Sequence, residues 1–189
     1  MASVVVGLLG KSGAGKDTVA ARLVEKHGFT RVAFADPLKA AALQINPIIT
    51  DGHHFARLAT MVDVSGWDEA KKIYEVRRFL QNLAESMRAL DEDIWLNAGM
   101  DKISYIDGPV VVTDVRYVNE ALGIHSPDNY LARVVRPGAG LEGAAAQHVS
   151  EKALDGYDVD LTIVNDRTIG ALNARVDAMV LDFGLTGVL

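Results

Sequence analysis

Short runs of apolar residues recur along the chain, and segments whose apolar residues have helical spacing separate them. The five runs cover residues 4–9, 31–35, 109–113, 130–135 and 161–164. Apolar runs that alternate with helices are typical of a parallel sheet that is buried between two helical layers. The pattern therefore predicts an α/β fold with a five-stranded parallel sheet flanked by helices.

Turn and capping residues mark where the first two helices begin and end. The first helix is expected to start near Gly15 and to stop at Gly28, because glycine is favoured just past a helix end. Asp36-Pro37 has the pattern of an N-cap followed by proline at the first helical position, and Asn46-Pro47 is expected to close that second helix.

Two later segments have clear helical periodicity. In residues 76–90 the apolar positions are Val76, Phe79, Leu80, Leu83, Met87 and Leu90. In the C-terminal helix, about 168–182, the positions with core spacing are Ile169, Leu172, Val176, Met179 and Val180.

Composition narrows the class of protein. A chain of 189 residues with 49% hydrophobic and 23% charged residues is typical of one soluble α/β domain, here 1–189. The net charge of −6 disfavours binding to a nucleic-acid backbone. The absence of cysteine excludes disulfides and thiolate chemistry, and it fits a cytoplasmic protein. The first apolar run is too short to span a membrane, so no membrane association is expected.

Residues 10–18 read Gly-Lys-Ser-Gly-Ala-Gly-Lys-Asp-Thr and directly follow the first apolar run. The pattern G-x-x-x-x-G-K-[ST] binds phosphates because glycines let backbone N–H groups converge on phosphate oxygens and the lysine adds its charge. Asp17 stands where a Ser or Thr hydroxyl normally meets Mg²⁺. A chance glycine-rich turn is the alternative, and the position between a strand and a helix counts against it. The nucleotide-binding residues predicted here are Gly10, Ser12, Gly13, Ala14, Gly15, Lys16, Asp17 and Thr18.

A carboxylate and an arginine follow the third apolar run. Ligands of open parallel sheets collect at the carboxyl ends of the strands, so Asp114 is a candidate to hold Mg²⁺ or its waters if this strand neighbours the first. The alternative is that Asp114 is a helix N-cap or a partner for Arg116. Arg116 is well placed for a phosphate, although Arg116, Asn119 and Glu120 could also be surface residues.

Further polar residues are candidates for binding a substrate. Asp36 follows the second run, with Lys39 one turn later, and could accept a hydrogen bond from a substrate hydroxyl or simply cap a helix. In the helix 76–90, a narrow sector beside the apolar stripe contains Arg77, Gln81 and Arg88. Such a sector fits the rim of a cleft or a solvated helix flank.

The segment after the fourth run is rich in glycine and alanine, a composition typical of flexible chain. Arg133 and Arg136 flank the end of that run, and residues 137–144 read Pro-Gly-Ala-Gly-Leu-Glu-Gly-Ala. This stretch fits a lid that closes over phosphates or an ordinary mobile loop. His148 is compatible with packing, capping or catalysis. Asn165, after the last run, could contact a purine base or form a turn.

Taken together, these motifs resemble the bacteriophage deoxynucleoside monophosphate kinase family. The order and spacing of the motifs carry the resemblance, which spans most of the chain: the loop 10–18, Phe34-Ala35-Asp36-Pro37-Leu38-Lys39, Arg77 with Leu80-Gln81 and Arg88, Trp95, Asp114-Val115-Arg116 with Asn119-Glu120-Ala121, and His148 with Ser150-Glu151. Residues 46–75 match no pattern.

The resemblance implies a P-loop kinase fold with a helical monophosphate-binding region at 36–95 and a lid at 137–150. It implies transfer of the ATP γ-phosphoryl group to a deoxynucleoside monophosphate with Mg²⁺, and Lys-Asp-Thr is common in this family. On this hypothesis Lys16, Arg116 and Arg136 are catalytic. ATP is bound by the loop and Asn165, the substrate by Asp36, Lys39, Arg77, Gln81 and Arg88, and Mg²⁺ by Asp17 and Asp114.

Two other classes of function stay open. One is a P-loop kinase of another small metabolite, such as a phosphomevalonate-like or dephospho-coenzyme A-like acceptor. The other is a nucleotide-binding switch, although the Asp-x-x-Gly match at 63–66 has no guanine-binding motif after it. The sequence does not decide the base, the sugar preference, the role of residues 46–75, or whether the protein is a homodimer.

Overall fold

The computed structural model of the chain describes residues 4–50, 52–141, 143 and 149–185. Within these residues the elements are, in chain order, β1 (Val5–Leu9), α1 (Lys16–His27), β2 (Thr30–Val32), α2 (Ala35–Ile45), β3 (Ile48–Thr50), β4 (Phe55–Arg57), α3 (Leu58–Ala70), α4 (Tyr74–Leu90), α5 (Ile94–Ser104), β5 (Val110–Val112), α6 (Val118–Ile124), β6 (Tyr130–Val135), α7 (Val149–Lys152), β7 (Leu161–Val164) and α8 (Ile169–Asp182).

The five predicted strands form one parallel sheet in the order β2-β5-β1-β6-β7. β1 lies in the middle, with Gly7 opposite Val112 of β5 on one side and opposite Leu131 of β6 on the other. All five residues of β1 are buried, as expected for a strand that is covered on both faces. The structure confirms the predicted five-stranded sheet.

Helices α1 and α8 pack together beside the sheet and share its main core. Val19 and Leu23 of α1 and Val176 and Met179 of α8 are all fully buried there. Asp177 of α8 joins the two helices by accepting hydrogen bonds from α1, given by Arg22 Nε and Nη2 at 3.0 and 2.8 Å and by Lys26 Nζ at 2.7 Å, with His27 Nε2 also 2.8 Å away.

The chain divides into two compact units. One contains the residues up to Ala33 and those from Met100 onward, and it holds the parallel sheet; the other is Phe34–Gly99. The second unit has its own core, where Ala42, Leu58 and Val76 are fully buried. It also contains an antiparallel hairpin of β3 and β4, which the sequence analysis did not predict.

Most predicted helix ends agree with the structure, but the start of α2 does not. Gly15 and Gly28 cap α1, and Asn46 caps the end of α2 with a left-handed φ of 47°. The N-cap of α2 is Phe34, so Asp36 lies in the first turn and the predicted cap is wrong. Pro37 is tolerated at the third helical position because N–H groups of the first turn need no intrahelical acceptor.

Two apolar positions that were predicted to face the core are exposed. Leu90 is 83% exposed at the C-terminal end of α4, and Ile169 is 69% exposed at the start of α8. Helical periodicity continues into a terminal turn even where no neighbouring element covers that turn. Among the described residues, no helix is long and apolar enough to cross a membrane. Of the predicted lid, residues 142 and 144–148, including His148, lie outside the described residues.

Candidate active site

The loop after β1 has the backbone shape that phosphate binding requires. Gly10, Gly13 and Gly15 all have positive φ, of 139°, 74° and 104°. A Cβ on Gly10 would lie 2.2 Å from the Val134 carbonyl oxygen, so only glycine fits between the end of β1 and β6. Around Gly13 no atom of the described residues beyond its chain neighbours would lie within 4 Å of such a Cβ, so among these residues nothing fills that side of the loop. The loop then enters α1 at Lys16, and the N-terminus of that helix favours an anion.

Lys16 turns back into its own loop. Its Nζ donates to the carbonyl oxygens of Gly10 and Lys11 at 2.7 and 3.0 Å, and the side chain is half-buried. The Ala14 N–H also donates to the Lys11 carbonyl, at 3.2 Å. The loop is thus folded around the ammonium group of Lys16.

The loop borders a cleft of about 260 Å³ within the first unit. Its lining residues come from the loop, from the segment after β5, from the end of β6 and from α7 and the residues after it: Gly10, Lys11, Ala14, Val115, Arg116, Arg133, Val134, Val135, Arg136, Ala139, Ser150, Leu154 and Asp155. Four of these side chains are cationic and one is acidic, so the cleft suits an anion. The structure thereby brings Arg116 and Arg136 to the same cleft as the glycine-rich loop.

Three charged residues at this cleft were not assigned a role by the sequence analysis. Arg133 Nη2 donates to the carbonyls of Leu154 and Tyr157 at 3.1 and 2.7 Å, and Lys11 Nζ lies 2.7 Å from an Asp155 carboxylate oxygen. These contacts attach the segment after α7 to β6 and to the loop. The only sequence signal for Arg133 was its position as a charged residue within the otherwise apolar run that forms β6.

Arg136 differs from Arg133 in its surroundings. It is exposed, and its guanidinium forms no hydrogen bond or ion pair with another described residue. Arg136 is therefore available to a phosphate without first breaking a contact with another described residue.

The segment after β5 is held by a buried carboxylate. Glu120 is 2% exposed, and its Oε2 accepts hydrogen bonds from the backbone N–H groups of Arg116 and Tyr117 at 2.8 and 3.2 Å. The alternative of a surface position is therefore wrong for Glu120. β5 does neighbour β1, and the N-cap of α6 is Tyr117, so the alternative of Asp114 as the cap of this helix is wrong as well.

The predicted substrate-binding residues all belong to the second unit. On α4, Arg77 is exposed while Gln81 and Arg88 are half-buried, and Arg88 Nη1 donates to the Glu92 carbonyl at 3.1 Å. On α2, Lys39 Nζ lies 3.7 Å from an Asp36 carboxylate oxygen. The predicted substrate-binding residues therefore lie on two helices, α2 and α4, that pack against each other within this unit.

The carboxyl groups of Asp177 on α8 and of Asp166 just before it have clearly perturbed pKa values. Hydrogen bonds from Arg22 and Lys26 hold the pKa of Asp177 well below its usual range. The hydrogen bond from Arg175 lowers the pKa of Asp166. Both shifts result from ion pairing at the surface, so they indicate structural contacts and not acid–base chemistry.

The described residues contain no group of three or more His, Asp or Glu side chains that could form a metal site. Asp17 is exposed in the first turn of α1, and Asp114 is half-buried after β5. Mg²⁺ in kinases needs only one or two carboxylates, because phosphates and water supply the other ligands. The carboxylates present are compatible with a metal that arrives with a nucleotide.

A central parallel strand that leads through a glycine-rich, lysine-centred loop into a helix defines a P-loop kinase-like fold. A solved structure, TT1252 from Thermus thermophilus, is similar to the chain with a TM-score of 0.52 and 17% identity, over 96% of this chain and 98% of that one. This likeness concerns the fold.

Sequence comparison identifies the family. The profile of the deoxynucleotide monophosphate kinase family matches residues 50–176. A protein of Acanthamoeba polyphaga mimivirus named "Putative deoxynucleotide monophosphate kinase" is 27% identical over 94% of this chain and 96% of its own length. The chain therefore belongs to the deoxynucleotide monophosphate kinase family, and it is a nucleotide kinase. The resemblance found in the sequence is confirmed.

Proposed function

We propose that this protein transfers the γ-phosphoryl group of ATP to a deoxynucleoside monophosphate, yielding ADP and a deoxynucleoside diphosphate. The observation that carries the proposal is the loop around Lys16, which has the backbone and charge of a triphosphate site in a chain of this family. The family match begins at residue 50, so the loop is evidence independent of that match.

The donor phosphates are bound by the loop 10–16 and by the cations of the neighbouring cleft. Backbone N–H groups of the loop and the Lys16 ammonium contact the phosphate oxygens. Arg116 and Arg136, which line the same cleft, neutralise the charge that develops on the transferred group. The buried Glu120 supports this role because it holds the backbone of Arg116 in place.

The acceptor monophosphate is bound by the helical region 36–95. Arg77 and Arg88 supply positive charge from one sector of α4, and Gln81 between them supplies an amide. Asp36 and Lys39 complete the proposed substrate contacts. These side chains are exposed or half-buried, as a surface that receives a ligand must be.

The reaction needs no protein nucleophile and no general base. An oxygen of the acceptor phosphate, already ionised at neutral pH, forms a bond to the γ-phosphorus of ATP. The bond between that phosphorus and the β,γ-bridging oxygen breaks, and ADP leaves with the electron pair. The protein contributes position and electrostatic stabilisation, which is why the proposed catalytic groups are cations.

Mg²⁺ would be held by Asp17 and Asp114, directly or through water, with Thr18 as a second candidate. When bound, it neutralises phosphate charge. Calorimetric titration of ATP with and without Mg²⁺ tests this assignment apart from turnover. The Asp17→Ala, Asp114→Ala double variant should lose the Mg²⁺ enhancement of ATP affinity, and an unchanged enhancement would rule these two ligands out.

A coupled ADP-release assay over a panel of acceptors tests the proposed function. The panel contains the four deoxynucleoside monophosphates, their ribose counterparts, dephospho-coenzyme A and a phosphomevalonate-like acceptor, and the Lys16→Ala variant controls for contaminating kinases. We expect turnover with at least one deoxynucleoside monophosphate. Turnover confined to the other acceptors would refute the proposal that the acceptor is a deoxynucleoside monophosphate. Tight binding of a guanine nucleotide without any phosphoryl transfer would indicate a nucleotide-binding switch.

A further inference from the structure

The side chain of Asn165 contacts the phosphate loop from the far edge strand of the sheet. Asn165 directly follows β7, and its backbone N–H donates to the Val135 carbonyl of β6 at 2.6 Å. Its side-chain Nδ2 donates to the Ala14 carbonyl at 2.9 Å, across 151 positions of sequence. The amide also touches the next residue of the loop, because a Cβ on Gly15 would lie 2.5 Å from Nδ2.

This contact determines the orientation of one peptide unit in the loop. In a trans peptide the C=O and the following N–H point in opposite directions, and the described residues contain no cis peptide bond. With the Ala14 carbonyl bound to Asn165, the Gly15 N–H must point away from Asn165. Glycine accepts either sign of φ, so the Ala14–Gly15 peptide has little intrinsic resistance to flipping.

We propose that Asn165 is a positioning residue for the donor nucleotide, acting through the Ala14–Gly15 peptide. Its amide keeps the Gly15 N–H turned toward the phosphate side of the loop, where it donates to a phosphate oxygen. The proposal rests on the proposed binding of ATP to this loop. It also differs from the role suggested by the sequence alone, in which Asn165 contacts the purine base.

The two roles predict different ligand dependence. If Asn165 positions the loop, its loss lowers the affinity for every ligand that carries a phosphate chain, whatever base is attached. If Asn165 contacts the base, its loss lowers the affinity for ATP and does not change the affinity for a phosphate chain that carries no base. Tripolyphosphate is such a chain, and the ratio of ATP to GTP affinity gives a second test of base contact.

Two variants remove the amide without adding charge. Asn165→Leu keeps a similar side-chain size, and Asn165→Ala removes the side chain beyond Cβ. The matched control is Asp166→Asn at the adjacent position, which weakens the surface ion pair of Asp166 with Arg175 (2.8 Å) and leaves the loop contact intact. Affinities are measured by titration calorimetry well below each variant's unfolding temperature, which is recorded in parallel.

For both Asn165 variants we expect ATP and tripolyphosphate affinity to fall together by about ten- to a hundredfold, the range for one lost hydrogen bond to a charged group. The ATP to GTP ratio and the control variant should stay at wild-type values. Unchanged tripolyphosphate affinity in either folded Asn165 variant would overturn the inference. Failure of the wild-type protein to bind ATP would instead overturn the proposed function, so the two failures are distinguishable.

Discussion

Replacing Gly10 by alanine should destabilise the protein much more than the same change at Gly13, three residues further along the loop. The Cβ at position 10 would lie 2.2 Å from the Val134 carbonyl oxygen and 3.2 Å from the carbonyl carbon. Val134 belongs to β6, which β1 and β7 hold on both sides, so its backbone cannot move away without disturbing the sheet. At position 13 the Cβ would meet no atom within 4 Å.

The expected magnitudes follow from these two surroundings. Both residues have positive φ, which costs an alanine about 1–2 kcal/mol. Gly10→Ala adds the cost of forcing an atom into a filled space, about 1–3 kcal/mol. The free energy of unfolding should therefore fall by about 2–5 kcal/mol for Gly10→Ala and by about 1–2 kcal/mol for Gly13→Ala.

Thermal unfolding followed by circular dichroism measures this difference. For a domain of this size each kcal/mol lowers the midpoint by roughly 2–4 °C, so the extra ~1–3 kcal/mol should make Gly10→Ala unfold about 2–12 °C below Gly13→Ala. Urea unfolding of both variants checks that the slope, and hence the surface exposed on unfolding, is unchanged. Equal midpoints for the two variants would refute the rigid close approach of the loop to β6.

Three further predictions concern the cleft and the contact between α1 and α8. Lys16→Ala should lower turnover by about 10²–10³-fold because it removes the charge inside the loop, and near wild-type turnover would contradict that role. Arg136→Ala should lower turnover by about 10³-fold at unchanged stability, whereas Arg133→Ala should lower stability by about 1–3 kcal/mol because it removes two hydrogen bonds to carbonyls. Turnover assays and melting curves of both variants separate the two roles. Near wild-type turnover of Arg136→Ala would contradict the catalytic role of Arg136. Asp177 has a lowered pKa in the folded state, so its stabilising effect is present above the unfolded pKa of about 3.9 and is lost as the pH falls below it. Wild-type protein should therefore lose more stability between pH 7 and pH 3 than Asp177→Asn does, as measured by urea unfolding, and parallel losses would be evidence against the ion cluster.

Features encoded by neighbouring residues were predicted well. The strands β6 and β7 have the predicted bounds, and Gly15, Gly28 and Asn46 cap the helices where expected. These signals are local, because apolar runs, glycines and asparagine act over a few residues of chain. The hairpin of β3 and β4 was missed because its short strands read Ile-Ile-Thr and Phe-Ala-Arg and are mostly not buried, so they form no apolar run of the kind that marks the sheet strands.

Predictions about surroundings were less successful. Leu90 and Ile169 continue an apolar stripe but are exposed, and Glu120 is charged but buried. In each case the residue type gives the usual environment, while the environment itself depends on which distant element packs there. Glu120 is buried because two backbone N–H groups compensate its carboxylate; one is the N-cap N–H of Tyr117, the usual partner of a glutamate at the third helical position, and the other is the N–H of Arg116.

The sequence by itself determined the class of fold and the phosphate loop, since each strand, each helix and the loop are encoded by residues close together in the chain. The tertiary structure alone decided how that loop is held. Asn165 reaches Ala14 across 151 positions and Asp155 reaches Lys11 across 144, because the order β1-β6-β7 brings the ends of these strands to one edge of the sheet. Strand order is a property of packing between distant segments, so the contacts of Asn165 with the loop and of Arg133 with the segment after α7 could not be read from the sequence.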